Sequence, residues 1–372
     1  MNHGWEKKQL GDVCQINFGK RIVAKNTKPG PYYVYGGGGA TFTTMDYNRE
    51  NCMIVSRFAM SPECVRFVHG RFFLNDSGLS VNSITNFLTQ GFVDKYLWAI
   101  QPQIYNLGRG AAQKNLNTKS FSELTIPLPA VDIQIKIVSE IDKLEELIEL
   151  KRSQLKDLET LAQSLFYETF GDPLENSKKW NVGTLNEYAN FKNGLNFTPA
   201  DDGNKIKCLG VGDFKSNRYI KAENLPEINI VEAVSEEYLL KDGDIILVRS
   251  NGNKALIGRS IMYVSDNSLA TFSGFCIRCR YNREKLAPLF LSYYLSCGAI
   301  REYITSQGRG CNISNLNQKI LSGIPLILPP LSLQNKFAEK IEAIEEQKRL
   351  IESSIADLET LLASRMDYWF ND

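Results

Sequence analysis

The sequence predicts an α+β protein built by internal duplication. Two α/β-type domains are separated by two long coiled-coil helices, related as an internal repeat. Three observations predict this. Short segments recur in the same order 175 to 200 residues apart, each copy ends in an apolar heptad seam, and net charge alternates in blocks along the chain.

The repeat fixes the boundaries. Trp5, Leu10 and Gly19 return 175 positions later as Trp180, Leu185 and Gly194. Gly108-Arg109-Gly110, Asn115-Leu116-Asn117 and Asp157-Leu158-Glu159-Thr160-Leu161 each return 200 positions later, beginning at Gly308, Asn315 and Asp357. The second copy has therefore gained about 25 residues between its start and its Gly-Arg-Gly segment. The expected units are a domain over 1–131, a helix over 132–172, a domain over 173–331 and a helix over 332–372.

Within the first domain, Cys52-Met53-Ile54-Val55 reads as a strand and the stretch Asp94 to Gln101 as a helix. In the second, Asp244-Ile245-Ile246-Leu247-Val248 reads as a strand and 286–305 as helical. Proline-marked strand exits, Ile126-Pro127-Leu128-Pro129 and Ile324-Pro325 through Pro329-Pro330, precede the long helices. Apolar residues then follow a 4,3 spacing: Ile137, Ile141, Leu144, Ile148, Leu155, Leu158 and Leu165 in the first helix. The second has Phe337, Ile341, Ile344, Ile351, Ile355, Leu358 and Leu362. Asp132 and Ser332 stand at expected N-caps, and Gly171 followed by Pro173 ends the first helix. About 36 residues make a helix roughly 50–55 Å long. Lys151 and Lys348 each interrupt a seam, either as solvated lysines or as register-setting polar residues.

Composition narrows the class. No run approaches the roughly 18 apolar residues of a membrane span, and the first ten residues lack the apolar core of a signal peptide. A cytoplasmic protein is expected. The eight cysteines sit among apolar neighbours and read as reduced core residues. His3 and His69 are the only histidines, too few for Ser-His-Asp chemistry or a histidine metal site. Cys276 and Cys279 form a single CxxC inside a strand-like segment, better read as buried thiols than as half of a zinc site. No phosphate-binding glycine pattern surrounds Gly36-Gly37-Gly38-Gly39, which is either a flexible turn or a place of close backbone approach. The sequence points to no catalytic residues, no metal and no cofactor.

The net charge of +1 conceals a pattern. The four segments carry +6, −5, +4 and −4 in order, so each divergent domain is basic and each helix acidic. A basic domain is a candidate phosphate-facing surface, although an ordinary solvated surface is the plain alternative. Each domain ends in a loop of one character, Gly108 to Asn117 and Gly308 to Asn317. In the first, Arg109, Gln113, Lys114, Asn115 and Asn117 are candidate DNA-binding residues; in the second, Arg309, Asn312, Ser314, Asn315 and Asn317 are. Arg and Lys suit phosphate or guanine, and Asn or Gln can pair with adenine. The shared asparagines fit loop capping slightly better, whereas the residues that differ fit base readout. Arg57 and Arg249, aligned at the ends of strand-like segments, are further candidates, for DNA or for a structural ion pair. Tyr32, Tyr33 and Tyr35 beside Lys28 add a basic and aromatic surface, equally at home in a half-buried sheet.

The order of these parts resembles the specificity subunit of type I restriction–modification systems. It runs from Trp5…Leu10 through a variable domain, the Gly-Arg-Gly…Asn-Leu-Asn loop and the Ile-Pro…Pro exit to a helix led by Gln134, and again from Trp180…Leu185 to Gln334. Each motif alone is weak; the doubled order covers nearly the whole chain. The resemblance implies two target-recognition domains, each reading half of a bipartite asymmetric site in double-stranded DNA, separated by two long antiparallel coiled-coil helices that act as a spacer in a pseudo-twofold frame. It also implies partnership with two modification (methyltransferase) subunits and with restriction subunits, and no membrane. A DNA-modifying enzyme of the methyltransferase type would need an adenosylmethionine-binding glycine strand or an Asn-Pro-Pro-aromatic motif, which the sequence lacks. A helical assembly scaffold without DNA binding would leave the basic domains and their loops unused.

Overall fold

The computed structural model describes residues 4–110, 113–197, 203–214, 218–231, 233–306 and 315–370. The helices that matter most are α1 (Gln90–Ala99), α2 (Val131–Phe170), α3 (Pro288–Ser296) and α4 (Leu331–Phe370). By its contacts the chain divides into two units, Met1–Ser153 with Glu352–Asp372, and Gln154–Ile351.

The long helices begin as the sequence dictates, with one difference. Proline cannot donate a backbone hydrogen bond, so each helix starts directly after the proline exit. Gln134 donates its amide to the Ala130 carbonyl and Gln334 to that of Pro330, both at 3.1 Å. Asp132 and Ser332 therefore lie inside the first turn rather than at the N-caps, where Asp132 still complements the helix dipole. Gly171 closes α2 in the left-handed region (φ 78°), its N–H bonding the Tyr167 carbonyl at 2.8 Å.

In the first unit a six-stranded sheet is built from β1 (Cys14–Phe18), β2 (Tyr32–Gly36), β3 (Gly39–Thr44), β4 (Arg49–Ser56), β5 (Val65–Leu74) and β6 (Gly78–Ser83). Its order is β1-β6-β4-β5-β2-β3, antiparallel except where β2 runs parallel to β5. A separate pair joins Lys7–Gln9 to Thr125–Pro127. The core gathers Leu10, Val55, Leu79, Phe92 and Leu97 with Ile137, Ile141 and Ile148 of α2 and Leu362, Met366 and Phe370 of α4. Phe370 meets Phe92 and Tyr96 at ring distances of 5.3 and 5.8 Å. The two helix segments run antiparallel here, since Glu140 bonds Arg365 and Arg152 bonds Glu359.

The second unit repeats the plan. Its strands are β7 (Ala189–Asn193), β8 (Asn204–Leu209), β9 (Tyr219–Lys221), β10 (Glu227–Ile230), β11 (Ile245–Val248), β12 (Ser260–Val264), β13 (Ala270–Phe272) and β14 (Cys276–Tyr281). They form two sheets, β7-β14-β11-β12-β9 and β10-β8-β13. The register shows the correspondence: β12 and β13 together occupy the place of the single strand β5, and β9 has no counterpart. Phe166 and Phe170 of α2 pack with Phe290 of α3 and Phe337 of α4, as Phe370 packs in the first unit. Heptad residues thus close the domain cores: Ile137, Ile141, Ile148 and Leu362 in the first unit, Phe337 and Ile341 in the second.

One buried glutamine ties each long helix to its domain. Gln134 donates to the carbonyls of Phe87 and Pro129 at 2.8 and 2.9 Å and accepts from the Thr89 amide at 2.8 Å. Gln334 does the same with Lys285, Pro329 and Ala287. A buried amide with its bonds satisfied specifies one geometry, because any displacement strands polar groups away from water. Cys276 and Cys279 lie on one strand but belong to different cores, so their thiols point to opposite faces and cannot share an ion.

Candidate nucleic-acid interface

The aligned arginines mark one end of three strands that both units share, β1-β6-β4 in the first and β7-β14-β11 in the second. In the first unit, Arg57 follows β4, and its carbonyl accepts from Leu116 at 2.8 Å, which brings the Asn-Leu-Asn loop alongside. Its own N–H donates to Ser77 at 2.8 Å, and its guanidinium reaches the Asp76 carbonyl at 3.5 Å. In the second unit Arg249 follows β11 and accepts from Leu316 at 2.7 Å. It donates to Phe275 at 2.8 Å, and its guanidinium bonds the Gly274 carbonyl at 3.1 Å. The same arginine thus pins the same turn twice. The turns match further: the Ser77 amide bonds the Asn75 side chain at 2.8 Å, and that of Phe275 bonds the Ser273 hydroxyl at 3.3 Å.

Sequence alignment found these arginines but not their partners, which lie about 20 to 25 residues further along the chain. The alternative of a structural ion pair takes a different form here, with a backbone carbonyl in place of a carboxylate. Arg57 also lies between aromatic rings, its guanidinium 4.8 Å from the Phe18 ring centre and 4.6 Å from that of Phe58.

The loop candidates divide by role. Asn117 and Asn317 are helix N-caps, accepting from the amides of Ser120 at 3.3 Å and Ile320 at 2.9 Å. The Asn115 side chain accepts from the Ala59 amide at 3.3 Å, while Asn315 bridges to Ser250 through its backbone. Lys114 places its ammonium 3.9 Å above the Tyr105 ring, and its carbonyl accepts from Met60. Arg109 and Gln113 are exposed, with Gly110 between them in the left-handed region. Arg309, Asn312 and Ser314 lie outside the described residues.

The glycine run is the tip of the β2–β3 hairpin. The Gly37 carbonyl accepts from the Ser56 hydroxyl at 2.7 Å and from Arg66 at 3.1 Å, so the tip is fastened beside Arg57 rather than loose. A Cβ at Gly37 would come within 2.8 Å of the Phe58 carbonyl. The end of the first unit therefore assembles Phe18, the hairpin tip, 56–59, the turn 75–78 and the Asn-Leu-Asn loop. Tyr33 is exposed, whereas Tyr32 and Tyr35 pack on Tyr47 and Phe72. Lys28 lies outside these contacts.

Basic charge is less available than the sequence balance suggests. Arg280 forms a paired bond with buried Asp244 at 2.8 and 2.6 Å, and Arg278 is buried on the carbonyls of Glu237 and Leu239. Arg301 bonds the carbonyls of Ile257 and Ala255, and burial together with neighbouring Arg259 holds its pKa down. Among the described residues, no group of three or more His, Cys, Asp or Glu side chains is placed to hold a metal ion.

This is a duplicated frame, one arginine-pinned turn and one asparagine-capped helix start, built twice. The chain belongs to the family of type I restriction modification DNA specificity domains, whose profile matches residues 2–160 and 177–360. It is 26% identical over 292 residues to the type I restriction enzyme StySPI specificity subunit of Salmonella potsdam, covering 74% of this chain and 61% of that protein. It is 25% identical over 258 residues to the MjaVIII specificity subunit of Methanocaldococcus jannaschii, covering 64% of this chain and 59% of that one. The chain thus spans about 60% of the length of these curated relatives. The crystal structure of the type I restriction-modification S subunit from M. genitalium shares the fold, with TM-score 0.61, 18% identity, and coverage of 99% of this chain and 96% of that one.

Proposed function

We propose that the chain is the specificity subunit of a type I restriction–modification complex, a non-catalytic protein that reads a bipartite, asymmetric site in double-stranded DNA. Residues 1–131 and 173–331 act as target-recognition domains, and helices 132–172 and 332–372 act as the spacer between them. Two modification (methyltransferase) subunits and restriction subunits supply the chemistry, and the complex works in the cytoplasm. Among the described residues, no helix is long and apolar enough to cross a membrane.

One observation carries the reading. Two frames share their backbone bonds around Arg57 and Arg249 yet expose different side chains. A single symmetric reader would repeat its contact residues, whereas two readers on one scaffold produce an asymmetric site. Arg109, Gln113 and Lys114 in the first domain, and Arg309, Asn312 and Ser314 in the second, are assigned to DNA contact. Asn115, Asn117, Asn315 and Asn317 hold the loops that carry them. Arg57 and Arg249 position the turns.

The test is methylation sequencing of a host expressing the chain with its modification subunits. The expected result is one methylated motif with two unlike half-sites and a fixed gap. A single uninterrupted motif, or none, would overturn the reading. The methyltransferase-type alternative predicts methylation by the purified chain alone.

A further inference from the structure

The two pinned turns allow the units to be compared position by position. Backbone pairing makes Phe18 equivalent to Asn193, since they face Leu79 and Ile277, the residues following Gly78 and Cys276 on matching strands. Residues Phe58 and Ser250 each follow the pinning arginine. Ser77 and Phe275 each supply the carbonyl that this arginine's N–H bonds.

At all three positions the two units exchange an aromatic residue for a small polar one. The first unit has Phe, Phe and Ser; the second has Asn, Ser and Phe. The arginine's own backbone bonds, to Ser77 and Leu116 in one unit and to Phe275 and Leu316 in the other, are the same, so the pinned turn forms with either set of side chains. Phe58 is half-buried beside Arg57, whereas Phe18 touches that guanidinium yet stays 47% exposed, and Phe275 is 63% exposed. An exposed ring beside a pinned turn is a surface that a ligand can cover with a gain of about 25 cal/mol per Å² of apolar area. DNA offers such a cover, because thymine methyl groups take apolar contacts while Ser and Asn can hydrogen-bond base edges.

We propose that these three paired positions are specificity-determining DNA contacts, with Phe275 the apolar reader of one half-site and Phe18 that of the other. This rests on the DNA-reading function proposed above. Arg249 and Arg57 hold the turn still, and the residues around them choose the base. A shared frame with exchanged side chains is what two domains of common origin need in order to read different sequences.

The experiment uses the full chain assembled with its modification subunits. Phe275→Ser and Phe18→Asn each install the residue found in the other unit, so both are compatible with the frame. Methylation sequencing and binding to single-base variants of the motif are measured for each. Each variant should lose roughly tenfold or more in discrimination at a base pair within one half-site, and the two should affect different half-sites. The salt dependence of binding should not change, because no charge is removed. An unchanged motif with unchanged affinity would overturn the proposal. So would a uniform loss of binding to all sequences, which indicates a structural role. Failure of the wild-type complex to give a bipartite motif would instead defeat the functional reading itself.

Discussion

The segment Asp-Leu-Glu-Thr-Leu stands in both long helices, yet its glutamate meets different company in the two units. In the second unit Glu159 bonds Arg218 at 2.6 Å and Lys348 at 3.0 Å, and Lys348 also reaches Glu345 at 3.1 Å. Burial alone would raise the pKa of Glu159, but these two cations outweigh it and hold it at about 2. In the first unit Glu359 pairs with Arg152 at 2.8 Å on an open surface. The place of Lys348 is taken there by Ile148, buried in the core. Identical local sequence therefore gives a half-buried charge network in one unit and an apolar seam with an exposed ion pair in the other. Tertiary partners, not the motif, set the electrostatics.

The largest effect should fall where the units agree. Ile141 and Ile341 are fully buried at equivalent positions. Ile141→Asp or Ile341→Asp places an unpaired carboxylate in a core and should cost on the order of 3–5 kcal/mol. Thermal denaturation and yield of assembled complex should fall for both alike. A mild effect in one unit only would mean that the two seams are not equivalent.

A second test concerns α1 and α3. Asp94 of α1 is buried where α3 carries Ser292. Burial raises its pKa from 3.8 to about 6, against the lowering influence of a Gln90 hydrogen bond and the charge of Lys95. Because the folded value is the higher one, the folded state favours the protonated form. That advantage is complete below about 3.8 and is lost as pH rises through about 6. Asp94→Asn, which keeps the acceptor oxygen for Gln90, should therefore stabilise the protein at pH 7.5 by up to about 3 kcal/mol. Melting curves at pH 7.5 and pH 4 should show the gain shrinking in acid. Equal gains at both would mean that the carboxylate is not the source.

How far the sequence went differs between the ends and the middles. The repeat, the two helices and their proline exits were legible because local signals determine them: heptad spacing, caps and breakers. Asn117 and Asn317 turned out to be caps, the structural role their duplication favoured. Lys348, readable either as solvated or as register-setting, is only 14% exposed and ion-paired. What could not be read was long-range. The partners of Arg57 and Arg249 are backbone carbonyls, which leave no trace in side-chain patterns. The offset between copies grows from 174 at Tyr35 and Leu209 to 192 at the arginines, locating most of the insertion around β9 only once strand pairing is known. Phe275 gave no signal because an exposed aromatic is identical in sequence to a buried one.

Converting the second seam into the first gives a smaller effect. Burial would lower the Lys348 pKa, but Glu345 and Glu159 more than offset this and raise it. Lys348→Ile installs the residue found at 148 and leaves Glu345 with the Tyr293 hydroxyl at 3.4 Å. The expected cost is about 1–2 kcal/mol, less than for a fully buried pair, because Glu159 keeps Arg218. Glu159 contributes stability that is complete above about 4.5 and lost as pH falls toward about 2. Lys348→Ile should flatten this acid limb. An unchanged pH profile would assign the low pKa to Arg218 alone.

The smallest effect belongs to the exposed pair in the first unit. Arg152 bonds both Glu149 and Glu359, so the geometry looks as favourable as that around Lys348. Its side chain is 52% exposed, however, and water competes for every bond it makes. Long side chains on a surface also lose rotamer freedom when held in one arrangement, which offsets the attraction. Arg152→Ala should therefore cost less than about 0.5 kcal/mol, and 0.5 M salt should erase most of that. The same salt should leave most of the Lys348→Ile penalty in place, because bulk ions screen a half-buried network poorly. Denaturation of both variants at low and high salt measures the contrast directly. Equal salt sensitivity would mean that burial does not distinguish the two glutamates after all.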